Sequence, residues 1–272
     1  NIFDVKKERV TKYLANSQRK YDLTSGIFLK RSLHKLSTYL TVETLRALVQ
    51  AGGLGLSRSL HDLNENHFKD ARIVQLFDRY ATYNGSDPYR TPGIMSMIPH
   101  LEQHYGTFFP KGGMYSITQA LFDLAKDLGV QFQFGKKVDR IVVERGEAIG
   151  VQVKDEVMEA NVVVSNMDIV PTYRKLLPEQ EAPERTLRQE RSSSALIFYW
   201  GIQAEFPELD LHNIFFAKDY KSEFESIFHE HSISKDPTIY INISSKDEPS
   251  DAPEGQENWF VMVNAPGDDG QD

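Results

Sequence analysis

Phe109-Pro110-Lys111-Gly112-Gly113-Met114 opens the stretch whose order of elements decides the fold, and Val164-Ser165-Asn166-Met167-Asp168 closes it. Between them, Ser116 to Leu128 sets Ile117, Ala120, Leu121, Leu124 and Leu128 at helical spacing, which predicts an amphipathic helix. Ser116 and Gln119 have the spacing of a capping box, in which the hydroxyl takes an amide N–H and the amide side chain reaches back. Gly129 suits a left-handed helix end. Val130, Phe132 and Phe134 alternate with polar residues and predict a strand. Val138 to Glu144 and Ala148 to Lys154 bracket Arg145-Gly146-Glu147 and predict a hairpin. Val162-Val163-Val164 reads as a buried closing strand.

The residues before this module read as helical. Thr41 to Gln50, Asp62 to Asp70 and Ala71 to Thr82 carry apolar residues at helical spacing. Gly52-Gly53-Leu54-Gly55 interrupts them. Arg58 occupies the place of the third glycine of a G-x-G-x-x-G fingerprint and no strand precedes it, so a helix end and turn is the better reading. Asn84-Gly85-Ser86-Asp87-Pro88 predicts a turn, and Pro92 suits the first turn of a helix reaching about His104. After Pro171 the pattern changes. Glu179 to Arg191 is charged and contains Pro183, which predicts an exposed turn with a short helix. Ala195 to Ile202, Thr238 to Ser244 and Trp259 to Asn264 predict strands, and Lys221 to His229 an amphipathic helix. In the second strand Ile239, Ile241 and Ile243 alternate with Tyr240, Asn242 and Ser244, so one face should be buried and the other more polar.

Composition narrows the function. With 40% hydrophobic and 26% charged residues, the chain has the profile of a globular protein rather than a disordered one. A net charge of −8 argues against a general nucleic-acid role, which calls for a basic face. Zero Cys closes the thiolate routes to catalysis and to metal binding, and fits a reducing compartment. His100 and His104 lie four apart on a predicted helix, but Glu102 points to another side of it, so no metal site is expected. Ser192-Ser193-Ser194 lacks the G-x-S-x-G elbow of a serine hydrolase. Gly112-Gly113 supplies positive φ in a loop, or else lets a backbone approach a ligand. Its place before a helix amino terminus, where amide donors and the dipole favour an anion, keeps the second reading open.

The whole chain resembles the bacterial-type phytoene desaturases, FAD-dependent carotenoid desaturases among the amine-oxidase-like flavoproteins. The resemblance is carried by Arg79-Tyr80-Ala81-Thr82-Tyr83-Asn84-Gly85-Ser86-Asp87-Pro88, by Phe109 to Met114, by Lys137-Val138-Asp139-Arg140-Ile141 and by Ser165 to Asp168. Tyr173-Arg174-Lys175-Leu176-Leu177, Pro253-Glu254-Gly255 and Val263-Asn264-Ala265-Pro266 extend it. It implies an α+β chain that is an interior part of a two-domain oxidoreductase, since the G-x-G-x-x-G unit with which family members open is not found in these residues. On this reading residues 1–108 form the helical, membrane-facing part of a substrate domain. Residues 109–170 form a segment of the FAD domain, and residues 171–272 form the sheet part of the substrate domain.

The resemblance also implies site residues. Val138 would offer backbone groups to the adenine part of FAD, Asn166 and Met167 would lie near the cofactor crevice with Gly112 and Gly113, and Arg46 would stand for the family's catalytic arginine. The implied partner is an apolar polyene, with no metal and no nucleic acid. The implied location is cytoplasmic, with peripheral membrane contact through an apolar patch on the helical part. These 272 residues alone are not expected to hold FAD stoichiometrically. The alternatives are a retinol saturase-like enzyme, an amine oxidase, or a non-catalytic domain that binds an apolar ligand.

Overall fold

The computed structural model describes residues 5–267; residues 1–4 and Asp268 to Asp272 lie outside the described residues. In chain order the helices are α1 (Lys7–Phe28), α2 (Leu36–Tyr39), α3 (Val42–Val49), α4 (Leu60–Phe68), α5 (Ala71–Asp78), α6 (Ile98–His100) and α7 (Tyr115–Asp127). The strands β1 (Arg140–Glu144), β2 (Glu147–Val153) and β3 (Glu156–Glu159) follow, then α8 (Ile169–Pro171) and α9 (Glu184–Leu187). The chain continues through β4 (Ser194–Ile202), β5 (His212–Phe215), α10 (Tyr220–Phe228), β6 (Ile239–Asn242) and β7 (Glu257–Ala265). Two compact units result. One joins residues 1–116 to 192–272, and the other is residues 117–191.

In the first unit the helical core is aromatic: Tyr13, Phe68, Phe77 and Tyr80 close with Ile73 and Val74. A polar chain runs through it, from the Tyr13 hydroxyl to Asn64 at 2.7 Å, from the Asn64 amide to Asp78 at 2.8 Å, and from Asp78 to His61 Nδ1 at 2.7 Å. Buried polar groups are tolerated when paired in this way. Lys20 of α1 is also buried, and its ammonium donates to the Gly93 carbonyl at 3.0 Å and to Ser96 Oγ at 2.6 Å. Gly85 is needed where it stands. Its φ is +59°, and a Cβ there would lie 2.8 Å from Cβ of Ser192.

The sheet of this unit has the order β4-β7-β6-β5, and every pairing in it is antiparallel. The alternation in β6 falls as its sequence predicts. Ile241 and Ile243 are buried with Val261 on one face, and Tyr240 lies on the other. Asp219 caps α10 by accepting the Ser222 amide, and Phe224 packs beside Ala217 and Tyr220. The four-residue β5 has no alternation long enough to be read from sequence.

The second unit holds the meander β1-β2-β3. Its first turn is a two-residue hairpin in which both Arg145 and Gly146 have positive φ, the geometry that matches strand twist. The third strand, β3, was not read from the sequence.

Three expectations are corrected. Ser116 is not a helix cap: α7 begins at Tyr115, the Ser116 hydroxyl donates to the Gly113 carbonyl at 2.7 Å, and the Gln119 amide bonds Asp123. The helix starts earlier because the chain has already turned at Gly112 and Gly113. Residues 130–134 form no strand, and Phe132 and Phe134 instead pack on Phe122 of α7. Val162 to Val164 form no strand either, and Val162 and Val164 are exposed. Alternation or an apolar run qualifies a segment for pairing, but a strand exists only where a neighbour takes its backbone bonds. The apolar side of α7, with Ile117, Leu121 and Leu124, is correspondingly uncovered among the described residues, as is Leu128 just after it.

Candidate functional site

Two adjoining cavities lie in the first unit. One, of about 370 Å³, is walled by the open face of the sheet through Ile214, Tyr240, Met262 and Asn264, and by Arg79, Tyr83 and Glu102 of the helical part. The other, of about 560 Å³, is walled by Phe108, Phe109, Met114, Leu211 and Phe260. They share Thr107, His212 and Tyr240, and Asn242 and Asp247 also line the larger one, so both mix apolar and hydrogen-bonding walls. Both volumes fall in the range typical of ligand pockets, about 300–1,000 Å³. Alternation places these side chains. His212 and Ile214 of β5 share a sheet face with Tyr240 of β6 and Met262 of β7, while the odd-numbered isoleucines of β6 fill the core behind them.

The polar groups of the smaller cavity are mostly paired. Glu102 accepts bonds from the hydroxyls of Tyr80 and Tyr83, and the Arg79 guanidinium donates to Tyr83 Oη at 3.3 Å. Arg79 lies over both rings, 5.4 Å from the centroid of Tyr80 and 5.3 Å from that of Tyr83. His212 Nδ1 and the Tyr240 hydroxyl are 2.7 Å apart. Behind the wall, buried Glu223 accepts from Thr238 Oγ1 at 2.6 Å, and burial lifts its carboxyl above the usual range although that bond opposes the shift. Burial, reinforced by the Glu102 carboxylate, likewise pushes the Tyr80 phenol up. Two groups remain without a partner among the described residues: the Tyr220 hydroxyl and Arg79 Nε, both buried.

The residues expected at a cofactor are distributed as follows. Gly112 and Gly113 belong to the first unit, with φ of +83° and +78° just ahead of α7. The Gly112 amide donates to a Glu248 carboxylate oxygen at 2.9 Å. With the Ser250 hydroxyl, which acts more strongly, it holds the Glu248 carboxyl below the usual range. Val138, Asn166 and Met167 belong to the second unit. Val138 is half-buried in extended chain just before β1, and its amide and carbonyl take no backbone bond among the described residues. Asn166 and Met167 form an exposed corner, followed by Asp168, whose carboxylate caps α8 through the Val170 amide. The second unit's own cleft, about 240 Å³ along β1 and residues 176–180, is lined by none of these residues. Arg46 stands on the exposed side of α3 and lines neither cavity of the first unit.

His100 and His104 stack face to face, 4.7 Å between centroids, while Glu102 turns to the tyrosines, as its offset of two residues implies. Among the described residues no three His, Cys, Asp or Glu side chains are grouped to hold a metal ion. Tyr220 and His212 of the cavity wall were not foreseen. The Arg79 to Pro88 segment, part of that wall, entered the sequence reading only as a segment that carries the family resemblance.

Residues 29–229 match the family model of the flavin containing amine oxidoreductases. The chain belongs to that family. A 1-hydroxycarotenoid 3,4-desaturase of Flavobacterium sp. (strain P99-3) is 54% identical over 99% of this chain and 55% of its own. A zeta-carotene-forming phytoene desaturase of Myxococcus xanthus is 33% identical over 95% of this chain and 50% of its own. The chain thus spans about half the length of the curated relatives it matches. A crystal structure of an oxidoreductase from Methanosarcina mazei superimposes with a TM-score of 0.57 at 16% identity, covering 88% of this chain and 55% of that one. That likeness concerns the fold of this family member. No helix among its described residues is long and apolar enough to cross a membrane.

Proposed function

We propose that this chain works as part of an FAD-dependent desaturase that removes hydrogen from C–C single bonds of a linear carotenoid such as phytoene. The observation that carries the reading is the tract of adjoining cavities in the first unit, with Phe108, Phe109, Met114, Phe260, Ile214 and Met262 on its walls. A polyene offers few groups to hydrogen-bond, so it is held by apolar walls that also exclude water. The names of the relatives support the same substrate class.

The residues present fit FAD. Val138 keeps both backbone groups unpaired in a half-buried strand-like segment, as an adenine contact requires. The Gly112 amide already takes an anionic oxygen, that of Glu248. Bound FAD would supply the electron acceptor for the abstracted hydrogen, the part of the chemistry that side chains cannot perform. In this reading residues 109–170 serve the flavin, with Asn166, Met167, Gly112 and Gly113 near it. Residues 1–108 and 171–272 hold the substrate, joined by Phe109 and Met114 at the start of the flavin segment; the sheet and the helical core falling in one compact unit supports this, with residues 171–191 in the other unit.

Peripheral membrane contact belongs to the same reading. The outward side of α3 carries Val42, Leu45, Leu48 and Val49, all exposed, and Leu36 and Leu40 are exposed just before it. Residues 28–49 hold four basic side chains (Lys30, Arg31, Lys35 and Arg46) against the acidic Glu43. An apolar face rimmed by cations suits the headgroup boundary of an anionic bilayer.

The test uses the full-length protein reconstituted with FAD and supplied with phytoene and later desaturation intermediates, the products being separated and read by their absorption. A product with a longer conjugated chain is expected. The Val138→Ile variant, which keeps the backbone groups, should retain flavin. Val138→Pro should lose it, with circular dichroism reporting on folding. If the flavin-loaded protein extends conjugation in no linear carotenoid, the reading fails.

A further inference from the structure

His212, which is exposed, and Tyr240, which is half-buried, line both cavities, so a ligand lying along the tract passes them. His212 Nδ1 is 2.7 Å from the Tyr240 hydroxyl and 3.4 Å from the amide nitrogen of Asn242. That nitrogen also donates to the Leu211 carbonyl at 3.1 Å, which fixes the end of the amide that meets the ring. An amide NH2 only donates, so Nδ1 carries no proton and accepts from both neighbours. The ring proton of His212 therefore sits on Nε2. The Tyr240 proton points at His212, and the phenol oxygen keeps a lone pair of its own. Burial pushes that phenol up, against a hydrogen bond from Asn242, so it is the phenol and not the phenolate that faces the tract. Other acid–base groups are less well placed. Glu102 is engaged by the Tyr80 and Tyr83 hydroxyls, Glu223 is buried behind the wall, and Asp247 lines the larger cavity alone.

We propose that Tyr240 accepts the proton released in the desaturation, and that His212 takes up the phenol's own proton in the same step. The inference rests on the desaturase reading above and deepens it by naming the proton acceptor. Turning a C–C single bond into a double bond removes a hydride, which carries its electron pair to bound FAD, and a proton from the neighbouring carbon. At that carbon the C–H bond breaks and its electron pair becomes the new π bond. The proton bonds Tyr240 Oη while the phenol's original proton moves to His212 Nδ1. The phenol is restored and the imidazole becomes an imidazolium. Because His212 is exposed, the Nε2 proton leaves to water, and exchange with water after product release returns the ring to its first tautomer. A phenol is a weak base, but a C–H bond beside a carbon that has given up a hydride is strongly acidic. The imidazole, within hydrogen-bond reach of the phenol, carries the resulting charge. Asn242 is a positioning residue that holds Nδ1 in its accepting form.

The experiment measures kcat and KM separately for the FAD-loaded full-length protein with the linear carotenoid it converts, beside flavin content and the unfolding midpoint. Tyr240→Phe removes the oxygen and keeps the ring, and His212→Gln keeps a polar side chain that takes up no proton. Each should lower kcat at least about a hundredfold and move KM by less than about threefold, with flavin retained. A second readout needs no turnover. In nitrogen-15 NMR of the FAD-free full-length protein, His212, assigned by its loss in His212→Gln, should be protonated at Nε2 and not at Nδ1. Tyr240→Phe should shift the Nδ1 resonance. A smaller loss of kcat in either folded variant, a loss matched by lost flavin or a raised KM, or a proton on Nδ1 overturns the inference and leaves the desaturase reading standing. Where a variant does not fold, the other variant and the wild-type NMR signal decide. A wild type that converts no linear carotenoid overturns the desaturase reading, and the proton relay with it.

Discussion

At the scale of single residues, the buried Lys20 is the most exacting feature of the helical core. Among the described residues a carbonyl and a hydroxyl, and no carboxylate, take its protons, and burial draws its pKa down to about 8. The sign follows from proton counting. Between about pH 8 and the unfolded value near 10.4 the unfolded chain binds more protons than the folded one, so stability rises with pH across that window. Lys20→Met removes the titration and leaves Ser96 bonded to the Gly93 carbonyl. Its stability relative to the wild type should therefore be greatest near pH 7 and should decline toward pH 10, as read by urea denaturation at each pH. A difference independent of pH would show that Lys20 carries no depressed pKa. Nothing in the sequence singles out Lys20, because a lysine within a polar helical stretch reads as solvated until its neighbours are known.

Among the elements, helix starts separate what sequence pattern shows from what it leaves open. Ser116 and Gln119 fit the capping box, yet a serine that does cap its helix is Ser59, whose hydroxyl accepts the Asp62 amide at 3.0 Å ahead of α4. Both serines precede apolar periodic residues, and only the backbone before them, turned early at Gly112 and Gly113, decides which lies outside its helix. Ser59→Ala should cost about 1 kcal/mol, whereas Ser116→Ala, which loses only a bond to the Gly113 carbonyl, should cost clearly less. Chemical denaturation of both variants checks the order, and equal losses would return Ser116 to a capping role. Strands show the same limit. The alternation of β6 was legible because β5 and β7 flank it, and residues 130–134 alternate as well but have no neighbour to pair with among the described residues. The candidate site was legible only by halves. The segment from Arg79 could be quoted from sequence, but His212 joins it through a sheet register and Tyr220 through the packing of α10, and no local pattern encodes either.

For the whole molecule, the question is how a chain of net charge −8 would meet an anionic membrane that repels it on average. Segment 28–49 answers with local chemistry. Periodicity in Thr41 to Gln50 announces a helix with one apolar side, but periodicity gives a face and not its direction. In α3 that face points outward, and it is Thr44 and Ala47 that are buried. Burying an exposed leucine in the acyl boundary is worth up to about 1.5–3 kcal/mol, so two leucines can decide the partition of the protein. The four cations add attraction that salt screens over about 10 Å at 0.1 M. The full-length protein should therefore sediment with vesicles containing anionic lipid, less with neutral vesicles, and less again as salt rises. The double variant Leu45→Glu with Leu48→Glu should weaken binding at least about tenfold. Its fold should survive, since both side chains are already exposed. Unchanged sedimentation of a folded double variant would remove α3 from the membrane contact, and with it the route by which a bilayer-dissolved polyene would be handed to the cavities.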